Sequence, residues 1–520
     1  MIYLYDTTLR DGAQGEGVSL TLKDKLAIAQ RLDRFGIHYI EGGWPGSNPK
    51  DMAFFKEVRE AGIERAKIVA FGSTRRADKK VQEDSNVKAL LEAGTKSVTI
   101  FGKSWDFHVT EVFKASLAEN LRMIHETVSY LKEKGLEVIY DAEHFFDGFK
   151  ANPEYALKTL QEAVKGGAEN LTLCDTNGGS LPEEVRKAVT HVKKELKTSL
   201  GIHCHNDCNL AVANSIAAVE GGCVLVQGTM NGYGERCGNA NLTSIIPILQ
   251  LKMNQRCLTP SKLQELTEVS HYVAEICNMP MELHQPFTGR SAFAHKGGVH
   301  IDAMMKDSRT YEHINPDEVG NRRRFLSSEL GGRANLLAKA KELGIDLKKD
   351  SPETRRILEE VQKLENEGYQ FEAAEASFQL LIERVLGRRK NYFKVESANV
   401  PNEKIGDRSS VAAATVKVTV QGETVVGKEE KGDGPVDALY KALKEALEKF
   451  YPVIKKIHLT DYKVRVVDSK AGTAAKVRVF ITFQDETGDW TTVGVDKNII
   501  EASWKALVEA IEYKLARAND

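Results

Sequence analysis

The first half of the chain repeats one pattern, in which a short apolar run is followed by an amphipathic stretch of helical periodicity. The runs are almost continuous in apolar residues, as expected for strands that are covered on both faces. In TLKDKLAIAQRLDRFG (21–36), apolar residues recur at helical spacing and a glycine follows the last turn. The runs lie at 2–5, 38–43, 67–72, 97–102, 137–142, 170–175, 201–206 and 224–229.

Strand–helix units of about thirty residues, repeated in this way, favour an α/β fold with an N-terminal (β/α)8 TIM barrel over residues 1–255. An open, doubly wound sheet is the alternative that the same alternation permits. In a barrel, the residues that carry chemistry lie where the strands end and the following loops begin. The search for function therefore starts at these strand ends.

The rest of the chain divides into two regions. Residues 256–390 are predicted to form mostly helical linker subdomains, and the charged amphipathic stretch 350–387 is interpreted as a solvated helical connector. Residues 391–520 contain an internal duplication of a small α/β unit, because DALYKALKEAL from Asp437 aligns with EASWKALVEAI from Glu501. Its strands are predicted at 411–420, 462–468 and 476–483, and its helices at 434–450 and 498–515. A duplicated pair of this kind suits binding of a small effector or self-association.

Composition excludes several classes of function. The net charge is −2, without a basic stripe, which argues against a nucleic-acid partner. No apolar run approaches the ~20 residues that span a bilayer, so no membrane partner is expected. The start MIYLYDTTLR lacks the features of a secretory signal, and seven cysteines without framework spacing predict reduced thiols in the cytoplasm. Cys204, Cys208 and Cys237 are interpreted as thiols in or near the core.

The stretch GIHCHNDCN (201–209) places two histidines at the end of the seventh predicted strand. Successive strand residues face opposite sides, so His203 and His205 share a face and Cys204 points away. Asp11 follows the first strand, which neighbours the eighth in a closed barrel, and Asn239 follows the eighth. Two nitrogens and two oxygens would hold a divalent cation with positions left open for substrate. A structural role for the histidines is the alternative, and a Cys–His nucleophile pair is disfavoured.

Other polar residues follow the same strand ends. Arg10 adjoins Asp11, and its guanidinium is suited to bind a carboxylate or enolate oxygen of a substrate. Its alternative role is a salt bridge to Glu41 or Glu143. Thr176 could donate to a substrate carboxylate, and its alternative role is to cap the following helix.

Three of these segments, DTTLRDGAQ (6–14), HCHND (203–207) and NGYGERCGNANL (231–242), resemble the metal-dependent enzymes that condense or cleave acyl-CoA on a TIM barrel. The segment 291–335 and the duplicated C-terminal unit extend the resemblance to the 2-isopropylmalate, citramalate and homocitrate synthase group. EGGWPGSNPKD (41–51) and residues 492–515 are most similar to the members of this group that use pyruvate.

The resemblance implies an acyltransferase that condenses acetyl-CoA with pyruvate and water, as the first step of a pyruvate route to isoleucine. The divalent metal (Mn, Mg, Zn or Co) would be bound by Asp11, His203, His205 and Asn239. The resemblance also implies that Arg10 stabilises charge on the keto oxygen and that Glu143 assists deprotonation of the acetyl-CoA methyl group. Glu41 and Thr176 are expected to bind substrate.

The resemblance also implies a homodimer, in which the partner subunit inserts His300 and Tyr311 over the barrel mouth. Relatives often carry HxSGIHQDG where this chain has HKGGVHIDA, so the contacts around His300 differ at Gly297 and Ile301. The C-terminal duplication resembles a regulatory domain, which implies feedback by isoleucine at a loop over 469–477. A dimerisation module without an effector is the alternative.

Three alternatives for the function remain. A lyase of the 3-hydroxy-3-methylglutaryl-CoA type would carry a cysteine in a glycine-rich loop that NGYGERCGNAN does not match. A 2-isopropylmalate or homocitrate synthase would use a different 2-oxo acid on the same barrel. A non-catalytic amino-acid sensor would have lost the active-site residues, which are all present.

Overall fold

The protein is described here by a computed structural model that covers two compact units. One unit comprises Met1–Phe293 with His313–Arg323, and the other comprises Ala294–Glu312 with Arg324–Asp520. The structure describes residues 1–326, 336–337, 340–341, 344–345, 347–348, 351–371, 373–403, 411–467 and 475–518. Among these residues, no helix combines the length and the apolar character that a membrane crossing requires.

The first unit contains a closed barrel of parallel strands, β1 to β8, in which each strand pairs with the next and β1 pairs with β8. The predicted barrel is confirmed, and the doubly wound alternative is wrong. The strands are β1 (Tyr3–Asp6), β2 (Tyr39–Gly43), β3 (Lys67–Ser73), β4 (Ser97–Lys103), β5 (Glu137–Glu143), β6 (Asn170–Asp175), β7 (Ser199–Cys204) and β8 (Leu225–Gly228). β7 begins two residues before the apolar run that predicted it.

Helices surround the barrel, and the first of them shows why these segments are helical. Leu22–Phe35 begins at Thr21, whose hydroxyl accepts from the backbone N–H of Asp24 while the Asp24 carboxylate accepts from the backbone of Thr21. Such capping contributes about 1 kcal/mol. Gly36 ends the helix at φ 108°, a left-handed conformation that favours glycine. The other helices of the unit are Pro49–Glu57, Ser85–Glu92, Leu117–Glu133, Phe145–Ala151, Pro153–Gly166, Pro182–Glu195, Ala211–Gly221, Leu242–Pro247, Pro260–Leu263 and Leu266–Ile276.

The second unit combines small sheets with helices. β9 (Ala294–His295) and β10 (Arg324–Phe325) form a parallel pair. β13 (Val411–Val420) pairs antiparallel with β11 (Lys394–Asn399), β12 (Asn402–Glu403) and β14 (Glu423–Gly432). β15 (His458–Val466), β16 (Val477–Asp485) and β17 (Gly488–Asp496) form an antiparallel sheet. The helices whose bounds lie within the described residues are Gly298–Lys306, Pro352–Glu367, Glu375–Val385, Pro435–Leu447 and Ile499–Ala518.

The duplication predicted from the sequence is visible as two sheets that each carry one long helix. The helix Pro435–Leu447 packs on β13 and β14, and Ile499–Ala518 packs on β16 and β17. A Cβ on Gly427 would lie 1.9 Å from the carbonyl oxygen of Ala442, and one on Gly494 would lie 2.0 Å from that of Ala502. Glycine is therefore required in both halves, because helix and strand backbones touch there.

The interpretation of residues 350–387 as a solvated connector is wrong. The two helices in this stretch bury Ile357 and Phe378 in an apolar cluster that includes Val493 and Val495 of β17. The charged residues that suggested a solvated segment occupy the outer faces of helices with strongly apolar inner faces.

Candidate metal centre and active site

Three ligand-type side chains meet at the carboxyl end of the barrel. The Nε2 atoms of His203 and His205 lie 3.4 Å and 3.9 Å from Oδ2 of Asp11. One donor atom from each of the three residues lies within 4.8 Å of the others, and all three side chains are buried. The structure therefore brings together three of the four residues proposed as metal ligands in a single cluster.

Asn239, the fourth predicted ligand, is held beside this cluster by the backbone. It forms an isolated antiparallel bridge with His205, and its side-chain amide donates to the carbonyl of Tyr233 at 3.3 Å. Gly234 permits this approach, since a Cβ there would lie 2.1 Å from Nδ2 of Asn239. The Oδ1 atom of Asn239 is buried without a hydrogen-bond partner in the described part of the chain. A buried oxygen of this kind is suited to a cation.

The electrostatics of the cluster fit a divalent cation. Burial alone would raise the pKa of Asp11, but the Arg10 guanidinium and the two imidazoles hold it well below its usual range. Burial, aided by His203, lowers the pKa of His205 to about 4, which favours the neutral imidazole that binds metals. One carboxylate, two imidazoles and an unpaired amide oxygen form a mixed oxygen and nitrogen donor set typical of catalytic divalent cations.

Arg10 lies beside this cluster in a buried ion-pair network. Its Nε donates to Oε1 of Glu41 at 2.6 Å, and its Nη1 lies 3.5 Å from Oδ2 of Asp11. Tyr5 donates to the other oxygen of Glu41 at 2.6 Å, so both carboxylate oxygens are occupied. The salt bridge that was considered as an alternative role for Arg10 is therefore present, and Glu41 is fully buried beneath the guanidinium.

Three aromatic rings form a wall beside Arg10, on the side of the guanidinium that faces away from Asp11. The Arg10 guanidinium carbon lies 3.8 Å from the ring centre of Phe71. The centroids of Trp44, Phe71 and Phe101 lie 5.5 to 5.7 Å from one another. These rings come from the ends of β2, β3 and β4, so apolar surface lines this side of the barrel mouth.

Glu143 and Thr176 lie at the ends of β5 and β6, also at the carboxyl end of the barrel. Glu143 ends β5 and forms an ion pair with Lys103, which ends β4. The hydroxyl of Thr176 accepts from the backbone N–H of His144 at 2.9 Å. The alternative role of Thr176 as a helix cap is wrong, because the next helix begins at Pro182 with Leu181 at its cap.

His300 and Tyr311 belong to the second unit, where they form a stacked pair. Their ring centroids are 4.1 Å apart, and both side chains are exposed. The pairing connects the helix Gly298–Lys306 to the turn that follows it.

Several residues of the site were not singled out from the sequence. Lys103 could have been found by extending the fourth apolar run by one residue to its polar end. Arg236 donates to Asp207 at 2.8 Å and to the carbonyl of Thr176 at 2.7 Å, which joins the loops after β6, β7 and β8. The cysteines are free thiols, but Cys208 and Cys237 are exposed, so their interpretation as near-core residues is wrong.

Comparison with known proteins agrees with this architecture. Residues 1–273 match the HMGL-like family, residues 287–369 the homocitrate synthase post-HMGL domain-like family, and residues 372–515 the LeuA allosteric (dimerisation) domain. The chain is 54% identical to the (R)-citramalate synthase of Aquifex aeolicus, covering 100% of this chain and 98% of that protein. It is also 54% identical to the (R)-citramalate synthase of Synechocystis, covering 99% and 96%. Identity to the 2-isopropylmalate synthase of Methanocaldococcus jannaschii is 30%, covering 99% and 95%.

The chain belongs to the HMGL-like family of barrel enzymes and, within it, to the group that contains (R)-citramalate synthase and 2-isopropylmalate synthase. Its similarity is greater to the (R)-citramalate synthases, of which five are 46 to 54% identical over nearly their whole length.

Proposed function

We propose that this protein is an acyltransferase that condenses acetyl-CoA with pyruvate and water to give (R)-citramalate and free CoA. The full-length similarity to five (R)-citramalate synthases carries this proposal. The arrangement of Asp11, His203, His205 and Asn239 supports it, because a condensation at a keto carbon benefits from a cation at that point.

These four residues would hold the cation, which would supply Lewis-acid polarisation of the keto group of pyruvate when bound. Arg10 binds the keto oxygen and stabilises the negative charge that develops on it. Glu41 contributes to substrate binding through Arg10, because its two occupied oxygens fix the direction of the guanidinium. Thr176 donates its hydroxyl hydrogen to the pyruvate carboxylate while its oxygen accepts from the backbone of His144.

The chemical steps follow from these positions. Glu143, oriented by Lys103, accepts a proton from the methyl group of acetyl-CoA. The resulting carbon nucleophile attacks the keto carbon of pyruvate, and the π bond of the keto group breaks as the carbon–carbon bond forms. The keto oxygen then takes up one proton to become a hydroxyl, which balances the proton that Glu143 removed from the methyl group. Water then cleaves the thioester, so that CoA leaves as the thiol and the new carboxylate is released. Hydrolysis of the thioester makes the overall reaction irreversible.

His300 and Tyr311 complete the site from the partner subunit of a homodimer. Their exposure and mutual stacking fit a preformed pair of acid–base side chains that reaches a neighbouring molecule. In this arrangement residues 1–255 carry catalysis, residues 256–390 complete the partner's site, and residues 391–520 regulate. A cytoplasmic location fits the free thiols of the chain.

Isoleucine is the proposed effector of the C-terminal region. A cleft of about 420 Å³ lies between the helix Pro435–Leu447 and β15, with apolar walls and both acidic and basic groups. A free branched-chain amino acid combines these features in one small molecule. The cleft is lined by Val436, Asp437, Tyr440, Lys444, Ile457, His458, Leu459 and Tyr462. Residues 469–474 of the loop expected to bind the effector lie outside the described residues.

Release of free thiol from acetyl-CoA tests the proposed reaction. The purified protein would be assayed with a divalent cation and, separately, pyruvate, 2-oxobutyrate, 2-oxoisovalerate and 2-oxoglutarate. We expect the highest kcat/KM with pyruvate and a product that matches (R)-citramalate by chiral chromatography. A higher kcat/KM with 2-oxoisovalerate would instead assign the chain to the 2-isopropylmalate synthases, which the relative at 30% identity represents.

A further inference from the structure

We infer that Gln227 is a positioning residue that fixes His203 in the tautomer with its proton on Nδ1, which leaves the lone pair of Nε2 directed at the cation site. The inference rests on the metal centre of the proposed function, and it adds a residue beyond the four ligands.

Gln227 lies in β8 and its side chain is completely buried in the barrel interior. Its Oε1 is 2.9 Å from Nδ1 of His203, and its Nε2 donates to Oδ1 of Asp141 at 2.9 Å. A longer contact of 3.4 Å joins Nε2 to the hydroxyl of Thr172. One glutamine therefore connects β8 to β5, β6 and β7 beneath the metal cluster.

The direction of these hydrogen bonds decides the tautomer. A carboxylate oxygen accepts hydrogen bonds, so the NH2 end of the Gln227 amide faces Asp141. The carbonyl end of the same amide then faces His203 and accepts, which requires a proton on Nδ1 of the imidazole. Asp141 thus determines the protonated nitrogen of His203 through an intervening amide.

His205 does not have this support. Its Nδ1 is buried without a hydrogen-bond partner among the residues that the structure describes. Its position follows instead from the backbone bridge to Asn239. The two histidines of the cluster are therefore oriented in different ways, and only His203 depends on a side chain from another strand.

Metal binding by variants tests this role. Loss of a partner that orients a metal-binding histidine typically weakens metal affinity about 10–100-fold. We expect Gln227→Met, which keeps the length of the side chain, to raise the dissociation constant for Zn²⁺ by that factor. The matched control is Gln285→Met, because Gln285 is also a nearly buried amide but donates to Thr243. Zn²⁺ affinity is measured by competition with a chromogenic chelator.

Zn²⁺ binding by the unmodified protein distinguishes a failure of the proposed metal centre from a failure of the role proposed for Gln227. If the unmodified protein fails to bind Zn²⁺, the metal centre itself is refuted. If it binds Zn²⁺ and Gln227→Met binds equally well, the role of Gln227 is overturned while the proposed function stands.

A second measurement does not depend on how well Gln227→Met folds. Nitrogen-15 NMR of the Zn²⁺-loaded unmodified protein, with His203 assigned through His203→Gln, reports the protonated ring nitrogen directly. We expect a proton on Nδ1 of His203, and a proton on Nε2 would overturn the inference.

Discussion

Arg10 and Glu41 are joined by a hydrogen bond of 2.6 Å between Nε and Oε1, in a pair whose carboxylate is completely shielded from solvent. The carboxylate does not reach the barrel mouth itself. It holds the guanidinium, which contacts Asp11 of the proposed metal site on one side and the ring of Phe71 on the other. The direction of Arg10 is therefore set by a residue on a different strand.

Glu41→Gln should impair turnover without impairing metal binding. The amide can still contact Tyr5, but it no longer provides the charged acceptor that orients Arg10. Misplacement of a catalytic group by about 1 Å can lower the rate about 100-fold, and we expect a fall in kcat of that size. The matched control is Glu137→Gln, whose carboxylate pairs with Lys67 at the opposite end of the barrel. Unchanged kcat in Glu41→Gln would refute the orienting role.

His203→Ala should abolish both bound metal and activity, because it removes one of two imidazoles from the cluster. Metal content by atomic emission and thiol release from acetyl-CoA would be measured on the same samples. His125→Ala is the control, since His125 is half-exposed and pairs with Glu162 on the outer helices. Normal turnover by His203→Ala with a full equivalent of bound metal would contradict the site.

Chelation gives an independent test of the same centre. Activity should disappear in excess chelator and return when Mn²⁺, Mg²⁺, Zn²⁺ or Co²⁺ is added back, and the order of recovery identifies the preferred ion. Activity that persists after complete removal of metal would show that the cluster has another role.

Phe101→Leu should broaden the choice of 2-oxo acid. The rings of Phe71 and Phe101 stack at 5.5 Å beside Arg10, and a smaller side chain makes room for one more methylene group. A methylene group in an apolar pocket changes specificity by about 10-fold or more, so kcat/KM for 2-oxobutyrate relative to pyruvate should rise by about that factor. Phe149→Leu is the control, because Phe149 packs on Phe145 and on His191 rather than on the rings beside Arg10. If the ratio of kcat/KM for 2-oxobutyrate to that for pyruvate is the same in both variants, residues other than Phe101 determine the choice of 2-oxo acid.

Glu509→Gln should make the stability of the second unit less dependent on pH. Burial raises the pKa of Glu509 to about 7, an effect that the Ser377 hydroxyl and Arg389 only partly offset. As pH rises from about 4.5 to about 7, the unfolded chain releases this proton before the folded chain does, so stability decreases across that range. The decrease in the free energy of unfolding is on the order of 3 kcal/mol, and it is complete once the pH exceeds the pKa of Glu509 in the folded protein.

Urea unfolding at several pH values measures this effect. The unmodified protein should lose stability between pH 5 and pH 8, and Glu509→Gln should lose less. Glu501→Gln, an exposed position on the same helix, should behave like the unmodified protein. If the free energy of unfolding changes equally with pH in Glu509→Gln and Glu501→Gln, Glu509 is not the source of the pH dependence.

Leu459→Asp should abolish the inhibition that we propose for isoleucine. Leu459 lines the cleft between the helix Pro435–Leu447 and β15, where a carboxylate would have to be desolvated beside an apolar ligand. The rate of thiol release would be followed as isoleucine is added. Val426→Asp provides an exposed apolar position on the other sheet as a control. If inhibition survives Leu459→Asp but is lost in Val426→Asp, the effector binds instead at the sheet that contains β13 and β14.

Local patterns in the sequence predict the fold because they act over a few residues. The two-residue period of a strand correctly separates His203 and His205 from Cys204, which is buried behind them. Gln227 was overlooked because its role depends on which residues of β5 and β7 face it across the barrel interior. The apolar face of Ile357 and Phe378 was misjudged for a similar reason, since its partners on β17 lie more than a hundred residues away in sequence.

Closure of the barrel by β1 against β8 has a consequence for biosynthesis. Asp11 is synthesised before β2 to β8, whereas Asn239 follows β8 and emerges only after all the strands of the barrel. Pairing of such distant segments is slow, because loop-closure entropy must be overcome before the contacts form. The proposed cation site is therefore absent from every incomplete barrel, and metal uptake by a nascent chain would report the moment at which the barrel closes.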